Sequence, residues 1–384
     1  MDALTTPLNW QRVRLGDIAE IKRGASPRPI ENPKWFCANS NVGWVRISDI
    51  SKNSRFLYKT AQKLSKKGIE KSRFVKQNSL IMSMCATIGK PIITKIDTCI
   101  HDGFVVFENP KIDLNYLYYF LCYIEKEWLE SGQQGSQVNL NVDLIKNKEV
   151  FCPKDLNEQI AIANVLSDVD HYLYSLDALI LKKEGVKKAL SFELLSQRKR
   201  LKGFNQNWQK VRLGDICEIV KGQQINKISL NNTDKYPVIN GGIDFLGYTN
   251  KFNVSKNTIA ISEGGTCGYV RFMKSDFWSG GHNYSLQKIS NKVNNLCLYH
   301  ILKSYEKDIM KLGVGSGLKN IQLKALKDFE IPLPPLNEQI AIANILSTLD
   351  SEIISLKNKK RQFENIKKAL NHDLMSAKIR VLKE

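Results

Sequence analysis

Two stretches of the sequence contain residue types that cut or hold nucleic acids, and the first is Glu20-Ile21-Lys22. A carboxylate and a lysine separated by one residue resemble the end of the E-x-K motif of metal-dependent nucleases. The same segment recurs later in the chain as Glu218-Ile219-Val220, where the lysine is lost. A β-strand with one polar face is therefore the favoured interpretation.

The second stretch lies in a glycine-rich region of the second half. His282 and Asn283 follow Gly280 and Gly281, and such a histidine acts either in a nuclease or as a contact to a phosphate or a base. Because metal-ligand companions are missing from its neighbourhood in the sequence, we favour the contact. The nearby EGGTCG at 263–268 resembles a phosphate-binding loop only in its glycines, and a β-turn is favoured.

The motifs of the main enzymes that modify nucleic acids are missing from the sequence. It contains no GxxxxGK[ST] phosphate loop, no Asn/Asp-Pro-Pro-aromatic motif of amino-methyltransferases and no glycine-rich turn for an adenosyl cofactor. The eight cysteines include no CxxC pair, and the five histidines do not fall at metal-ligand spacing. We expect a non-catalytic chain that binds no metal and no cofactor.

The charge balance favours a polyanionic partner. Lysine and arginine number 57 against 38 aspartate and glutamate residues, a formal net charge of +19. This excess indicates nucleic acid first, then an anionic membrane surface or an acidic protein; the alternative, that many lysines are only solvated surface, stays open. No apolar run approaches the ~20 residues of a membrane span. The first residues form no secretory signal, and the scattered cysteines fit a reduced, cytoplasmic protein.

The elements that position these residues are duplicated along the chain. LNEQIAIAN occurs at 156–164 and again at 336–344, and NWQRVRLGDIAEIKRG at 9–24 returns as NWQKVRLGDICEIVKG at 207–222. Two units of one plan with divergent middles predict two homologous domains and a pseudo-two-fold symmetric molecule.

A long helix is predicted after each LNEQIAIAN segment. Apolar residues recur at heptad spacing over about 40 residues, which is typical of a coiled-coil seam of ~60 Å. With two such helices in one chain, we expect them to pair within the molecule. The expected seam positions are Ile162, Leu166, Val169, Leu173, Leu176, Ile180, Lys183, Lys187, Leu190 and Leu194, and in the second copy Ile342, Leu346, Leu349, Ile353, Leu356, Lys360, Phe363, Lys367, Leu370 and Leu374.

The variable stretches at 42–107 and 235–287 consist of short β-type runs separated by Gly, Asn, Asp and Ser, and each is followed by a helical piece, at 114–130 and 295–312. The fold class is therefore α+β. We expect a first globular domain at 1–155, a helix at 156–203, a second globular domain at 204–335 and a helix at 336–384. Each globular domain carries a net charge of +7, whereas the helices carry +2 and +3.

Several motifs resemble one family. "PLPPLNEQIAIANILSTLD", its earlier copy "CPKDLNEQIAIANVLSDVD", the repeated "VRLGDI", "YPVINGGIDFLGYTN" and "GGHNYSLQ" resemble the specificity subunit of type I restriction–modification enzymes. The likeness covers essentially the whole chain. A local departure is Cys152-Pro153-Lys154-Asp155, which replaces the proline-richer PLPP of the second copy.

The resemblance implies two target-recognition domains that each read one half of a bipartite, asymmetric site in double-stranded DNA. It also implies that the helices pair antiparallel as a coiled coil, act as a spacer, and dock two methyltransferase (M) subunits. A restriction/translocase (R) subunit joins through that complex. The resemblance places S-adenosylmethionine, ATP and Mg²⁺ on those partner subunits and none of them on this chain. No membrane partner is expected.

Residue type and loop context indicate which side chains contact DNA, since arginine, lysine and side-chain amides read base edges or hold phosphates. Whether each reads a base, holds a phosphate or is merely solvated stays open. The candidates are Arg28, Arg46, Arg73 and Lys90 in the first domain and Asn240, Tyr248, Arg271, His282 and Asn283 in the second.

Partner contacts are expected at the start of each long helix, on side chains predicted to be exposed. These are Glu158, Gln159, Glu338 and Gln339, for which helix capping alone is the alternative. Two other functions compete with the specificity subunit: a fused nuclease–methyltransferase with degenerate motifs, and a stand-alone regulatory or architectural DNA-binding protein.

Overall fold

The computed structural model describes residues 9–51, 55–131 and 140–381, and it divides into two units. The first unit consists of Met1–Ser175 and Lys360–Glu384, and the second of Leu176–Lys359. Each unit therefore contains a globular part together with half of each long helix. The boundaries of the four segments expected from the sequence stay a prediction.

The described part of the first unit contains short strands, short helices and the start of one long helix. Its strands are β1 (Trp10–Arg14), β2 (Glu20–Arg23), β3 (Gly43–Val45), β4 (Phe56–Leu57), β5 (Gln62–Lys63), β6 (Arg73–Val75), β7 (Leu80–Ser83), β8 (Pro91–Thr94), β9 (Thr98–Ile100), β10 (Phe104–Glu108) and β11 (Glu149–Pro153). Its helices are α1 (Leu15–Ile18), α2 (Ile47–Ser51), α3 (Lys66–Glu70), α4 (Leu114–Tyr123), α5 (Glu125–Ser131), α6 (Val142–Asn147) and α7 (Leu156–Leu195), which continues into the second unit.

The central sheet of the first unit has the order β2-β10-β7-β8-β4. Successive side chains of a strand point to opposite faces, and both faces here are buried. Leu80 and Met82 of β7 face the larger apolar core, whereas Ile81 between them faces a smaller one. This explains why the strand sequences read as nearly continuous apolar runs. A second sheet, β5-β3-β9-β6, and the pair β1-β11 complete the unit.

The second unit repeats this plan. Its strands are β12 (Gln209–Arg212), β13 (Glu218–Lys221), β14 (Tyr236–Ile239), β15 (Gly247–Thr249), β16 (Thr258–Ser262), β17 (Val270–Met273), β18 (Trp278–Ser279), β19 (Asn283–Gln287), β20 (Gly313–Val314), β21 (Asn320–Ile321) and β22 (Glu330–Leu333). Its helices are α8 (Leu213–Ile216), α9 (Asn295–Ser304), α10 (Glu306–Lys311), α11 (Leu323–Lys327) and α12 (Leu336–Met375), which continues into the first unit.

Strand order and register match between the units. The sheet β13-β19-β16-β17 has the order of β2-β10-β7-β8. Phe104 pairs with Ser83 in the first unit, and Asn283 pairs with Ser262 at the same point of the second. The loop that follows Ser83 and the loop that follows Ser262 are therefore structurally equivalent. The α+β class expected from the sequence is confirmed.

The long helices pair antiparallel in each unit, as predicted. In the first unit the start of α7 packs against the end of α12, with Ile162 and Leu166 in one core with Leu374. In the second unit the end of α7 packs against the start of α12. Each of the twenty predicted seam positions is buried or half-buried, the lysines included. The pseudo-two-fold relation between the units stays a prediction.

The helical pieces expected at 114–130 and 295–312 are each two helices. The first breaks at Ile124 (φ −90°, ψ 7°) and the second at Tyr305 (φ −92°, ψ 9°). The two breaks lie at equivalent positions in the two units, and the helices before them begin with equivalent caps from Asp113 and Asn294. No helix among the described residues is both long and apolar enough to span a bilayer.

Candidate nucleic-acid interface

The start of each long helix is tied inward by a buried glutamate. Glu158 is 2% exposed and accepts hydrogen bonds from Asn9 Nδ2 (2.9 Å), Trp10 Nε1 (3.2 Å) and Arg380 Nε (3.2 Å). The indole comes from the opening strand of the unit, and Arg380 comes from the residues after α12. One carboxylate therefore joins three distant segments of the first unit.

The second unit repeats the arrangement with the other ends of the helices. Glu338 is 1% exposed and accepts from Arg200 Nε and Nη2, both at 2.7 Å, and from Trp208 Nε1 at 3.0 Å. Arg200 follows α7 as Arg380 follows α12. We call Trp10, Glu158 and Arg380 the first helix-start cluster, and Trp208, Glu338 and Arg200 the second.

The neighbouring glutamines are also buried. Gln159 accepts from the backbone N–H of Asp113 (2.8 Å) and donates to the Pro153 carbonyl (2.9 Å). Gln339 accepts from the N–H of Asn294 and donates to the Pro334 carbonyl, both at 2.7 Å. These bonds fix the cap of α4 or α9 to the long helix of the same unit.

The expectation that Glu158, Gln159, Glu338 and Gln339 are exposed partner contacts is therefore wrong. All four side chains are 1–2% exposed and hydrogen-bonded inside their own unit. The sequence contained a signal for this, since Glu158 precedes the seam residue Ile162 by four residues and so lies on the same face of the helix. The donors to these buried glutamates are a tryptophan and an arginine, which lie at equivalent positions in the two halves of the sequence.

A group of charged side chains gathers where the strands of the first unit end. Asp102, between β9 and β10, binds Arg28 Nη2 (2.8 Å), the Ser26 hydroxyl (2.7 Å) and, through its carbonyl, Arg23 Nε (2.8 Å). Arg73 Nε donates to the Arg23 carbonyl at 2.9 Å. The group therefore combines several guanidinium groups with a single carboxylate.

The electrostatics of this group follow from partial burial among cations. Burial lowers the pKa of His101, Asp102 acts against that shift, and Arg46 adds to it. Burial pushes the pKa of Asp102 upward, but the Ser26 hydrogen bond and Arg28 outweigh it, so the net shift is downward. Asp102 therefore stays a carboxylate. We call Arg23, Arg28, Arg46, Arg73, His101 and Asp102 the first loop cluster.

Three of the four DNA-contact candidates of the first unit belong to this cluster. Arg28 is exposed, whereas Arg46 and Arg73 are half-buried. Lys90 lies apart, in the loop between β7 and β8, where its ammonium donates to the Ile50 carbonyl (3.1 Å). Sequence reasoning missed Arg23 and Asp102, since nothing in their spacing shows that β2 and β10 bring them together.

The equivalent place in the second unit has different side chains. Loops at 240–242, 263–265 and 280–282 meet there because glycines allow close approach. A Cβ on Gly241, which has φ +81°, would lie 2.6 Å from the Gly264 carbonyl, and one on Gly281 would lie 2.5 Å from the Gln224 amide. The Asn240 carboxamide accepts from the backbone N–H of His282 at 2.9 Å. The glycine pairs of the sequence thus serve loop packing.

A buried carboxylate lies at the centre of these loops. Glu263 is 8% exposed, and its Oε1 accepts from Lys221 Nζ (2.7 Å) and from the Tyr284 hydroxyl (3.2 Å). Burial raises the pKa of Tyr284 to about 12, and the negative charge of Glu263 adds to the shift. His282 Nδ1 lies 4.0 Å from the other oxygen, Oε2. We call Lys221, Asn240, Glu263, His282 and Tyr284 the second loop cluster.

Of the two other candidates, Arg271 lies beside this cluster and Tyr248 lies on β15. Arg271 Nη2 donates to the carbonyls of Gly242 (2.7 Å) and Ile243 (2.5 Å), so it supports the loop that follows Asn240. Its guanidinium also lies 5.1 Å from the Tyr269 ring centroid, and burial lowers its pKa. Tyr248 is half-buried on β15 with its ring 6.1 Å from that of Phe245.

The structure contradicts the expectation that the Asn283 side chain contacts DNA. Its side chain is 1% exposed, and Nδ2 donates to Ser279 Oγ (2.9 Å) and to the Tyr284 carbonyl (3.0 Å). A buried amide whose donors are already used offers nothing to a duplex in this conformation. Phe104 occupies the same register position in the first unit, which identifies Asn283 as part of the sheet interior.

The nuclease-like stretch is an ordinary surface strand. Lys22 Nζ on β2 binds Glu20 at 2.9 Å and Glu108 on the neighbouring strand at 2.5 Å. The Asn109 hydrogen bond and Lys22 together lower the pKa of Glu20. Exposed ion pairs across neighbouring strands explain the alternation of charges in this segment.

A family model described as "Type I restriction modification DNA specificity domain" matches residues 7–183 and 205–365. A relative from Mycoplasma pneumoniae whose name contains the words type I specificity subunit is 41% identical over 151 residues, 39% of this chain and 40% of that relative. The chain thus spans well under half of that relative's length. The type I restriction enzyme MjaVIII specificity subunit of Methanocaldococcus jannaschii is 24% identical over 99% of this chain and 95% of its own length.

Solved structures share the fold. The chain is similar to the crystal structure of a type I restriction–modification S subunit from M. genitalium, with a TM-score of 0.70 and 19% identity, over 97% of both chains. A second match has a TM-score of 0.59 and 16% identity over 96% of this chain and 98% of the other, from work on complex assembly and conformational transition of the type I R-M system.

Proposed function

This chain belongs to the family of type I restriction–modification specificity proteins, and we propose that each of its units reads one half of a bipartite DNA site. The observation that carries the proposal is the pair of loop clusters. They occupy equivalent places in two homologous sheets but carry different side chains. Equivalent placement suits two grips on one duplex, and different chemistry suits two unlike half-sites.

The charge distribution supports DNA as the partner. Each globular part carries a net charge of +7 in sequence, and the long helices carry little. Lysine and arginine that neutralise phosphates release counterions and supply affinity that is independent of sequence. Selectivity then comes from the loop clusters, where the first offers guanidinium groups and the second offers Asn240, His282 and Lys221. The proposed site is therefore asymmetric.

The long helices are proposed to set the number of base pairs between the half-sites. Each helix contains 40 residues, a rise of ~60 Å, and each takes part in both units. A stiff spacer fixes register because added base pairs rotate one half-site around the duplex as well as moving it.

Partner subunits are proposed to dock where the duplicated segment leaves apolar side chains outside. The Glu and Gln of LNEQIAIAN are buried, but Leu156 and Ile160 are 52% and 37% exposed, and Leu336 and Ile340 are 39% and 40% exposed. Two identical patches, one in each unit, suit two copies of one partner. We propose that these are methyltransferase (M) subunits, and that restriction (R) subunits join through them.

The chain is proposed to act in the cytoplasm without catalysing. S-adenosylmethionine, ATP and Mg²⁺ would then serve the partner subunits. Incubating the pure chain with DNA, S-adenosylmethionine and Mg²⁺ tests this: methylation or cutting by the chain alone would support the fused enzyme. Co-expression with a methyltransferase should give a complex with two copies of it. Ile160→Glu should reduce that to one, and a stand-alone DNA-binding protein would bind none.

The test of the reading function is selection from random duplex DNA with the full chain. We expect enrichment of two unlike short motifs at one fixed gap. Inserting one heptad into both long helices adds ~10 Å, so the preferred gap should grow by about three base pairs at ~3.4 Å each. An unchanged gap in the lengthened chain would refute the helices as spacer, and failure to enrich any motif would refute the reading function.

A further inference from the structure

The second loop cluster contains a carboxylate oxygen that accepts no hydrogen bond within the part of the chain that the structure describes. Glu263 Oε1 is occupied by Lys221 and Tyr284, but the buried Oε2 accepts no hydrogen bond from the described residues. An unsatisfied acceptor at this depth lowers the stability of the fold. Such a cost persists at a site where the group serves a purpose other than stability.

The first unit shows that the fold does not need a carboxylate here. The residue after Ser83 is Met84, which is 3% exposed, and the residue after Ser262 is Glu263. The backbone surroundings match, since Met84 N donates to the Gly103 carbonyl (2.8 Å) and Glu263 N to the His282 carbonyl (2.9 Å). An apolar side chain therefore fits this position, and the glutamate is a property of the second unit.

The group that can use Oε2 is His282. Its side chain is 54% exposed, and its Nδ1 lies 4.0 Å from Oε2, so a small rotation of the ring brings an Nδ1–H into hydrogen-bond range. The backbone of His282 is already held by the Asn240 carboxamide at 2.9 Å. The hydrogen bond at one imidazole nitrogen determines whether the other is a donor or an acceptor.

We propose that Glu263 and His282 form the base-reading pair of the second unit, a claim that rests on the proposed reading function. Glu263 Oε2 accepts the Nδ1 proton of His282, so the exposed Nε2 is an acceptor. In the major groove, an acceptor selects the exocyclic amine of adenine (N6) or of cytosine (N4). Glu263 is a positioning residue, and His282 is the contact. Lys221, 54% exposed, occupies Oε1 and leaves Oε2 for the imidazole.

The experiment is the random-DNA selection with the full chain and three variants. His282→Ala removes the contact. Glu263→Met installs the residue of the first unit at the equivalent position. Glu263→Gln leaves one oxygen, which Lys221 and Tyr284 occupy, and turns an amide donor towards Nδ1 in place of the acceptor Oε2. The control is Glu306→Gln, because Glu306 is a hydrogen-bonded carboxylate of the same unit that binds Lys303 and the Val270 N–H, away from the loop cluster.

We expect His282→Ala to lose about tenfold discrimination at one adenine or cytosine position of one half-site, with the other half-site unchanged. Glu263→Met and Glu263→Gln should both lose discrimination at that same position, because neither offers an acceptor for the Nδ1 proton. The control should keep the wild-type preference at all positions.

The proposal is overturned if His282→Ala keeps the wild-type preference at all positions. It is also overturned if Glu263→Met weakens all positions of both half-sites equally, which would indicate a purely structural role. Should Glu263→Met fail to fold, His282→Ala decides, since an exposed side chain can be removed without loss of the core. The wild-type arm reports separately on the proposed function, because absence of any enriched site there is a failure of reading itself.

Discussion

The helix-start clusters and the loop clusters are the two duplicated regions of the molecule, and they have diverged to opposite extents. Both helix-start clusters have the same types of donor and acceptor: an indole at or just before the opening strand, a glutamate at the start of a long helix, and an arginine after the other long helix. The loop clusters share their backbone and almost none of their side chains. Arginines surround Asp102 in one, and Lys221, Asn240 and His282 surround Glu263 in the other.

This difference separates the residues that build the unit from those that we propose contact DNA. A buried charge that binds three segments tolerates no substitution without loss of stability. Loop side chains at the end of a sheet can change while the strands beneath them remain. The duplicated sequence motifs are therefore the scaffold, and the sequence that differs between the halves is the place to look for specificity.

The largest effect is expected from removing a helix-start glutamate. Glu338→Ala leaves Arg200 and Trp208 without their acceptor, and breaking a buried pair in this way costs about 3–5 kcal/mol. Glu158→Ala should cost a similar amount, since its partners are the same residue types. Urea denaturation of each variant measures the free energy of unfolding. A loss below about 1 kcal/mol in either would contradict the role given to these clusters.

A second prediction concerns how the stability of the second unit depends on pH. Burial lowers the pKa of His300 to about 4, with Asp350 opposing the shift and Lys187 adding to it, and its Nε2 lies 3.3 Å from Ser347 Oγ. The unfolded chain therefore binds the proton more tightly than the folded one. The stabilisation is complete above pH 6.5, the ordinary value, and is lost as the pH falls towards 4.

The expected loss is on the order of 3 kcal/mol by pH 4. His300→Tyr removes this titration and introduces the residue that the first unit has at the equivalent position, Tyr119, so it is a matched control. The unfolding free energy of the wild type, minus that of this variant, should fall as the pH is lowered from 7 to 4, because only the wild type takes up the proton on unfolding. A difference that stays constant over this range would show that His300 does not titrate as described.

The smallest effect is expected along the paired helices, at one position that differs between the units. Lys183 binds Glu352 at 2.6 Å in the second unit, with side chains 35% and 44% exposed. The residues at the same offset in the first unit are Phe363 and Tyr172, whose rings lie 4.6 Å apart. Exposed ion pairs contribute about 0–1 kcal/mol, so Lys183→Ala should have a small effect. Phe363→Ala should cost about 2 kcal/mol, because a half-buried aromatic side chain is lost. Thermal unfolding of both variants at low and high salt checks the order, and the reverse order would contradict it.

The sequence predicted the scaffold well because its signals are periodic or repeated. Heptad spacing located the helix seam. The lysines at seam positions are compatible with it, because Lys187 and Lys367 form ion pairs there with Asp350 and Asp170. It failed for Glu158 and Glu338, where charge was taken as a sign of exposure. The indole and guanidinium donors that permit burial come from segments far away in sequence.

The site was predicted only in part because its members come from separate strand ends. Arg28, Arg46 and Arg73, which were chosen by residue type and loop context, lie in one cluster, whereas Arg23 and Asp102 had no pattern of their own. That these arginines contact DNA stays a prediction. Asn283 follows His282 directly, yet His282 lies in the turn before β19 and is exposed, whereas Asn283 begins that strand and is buried. Glu263 was interpreted as part of a β-turn. Only its structural equivalence to Met84 shows that the fold does not require a carboxylate at this position.

The most direct measurement of the central claim is DNA selection with a chain in which the second recognition segment is replaced by the first. The joins fall within identical sequence, VRLGDI on one side and LNEQIAIAN on the other, so both helix-start clusters remain intact. If each unit reads its own half-site, this chain should enrich an inverted repeat of the half-site assigned to the first unit, at the wild-type gap. Enrichment of the original two unlike motifs, or of no motif by a folded chain, would contradict the account.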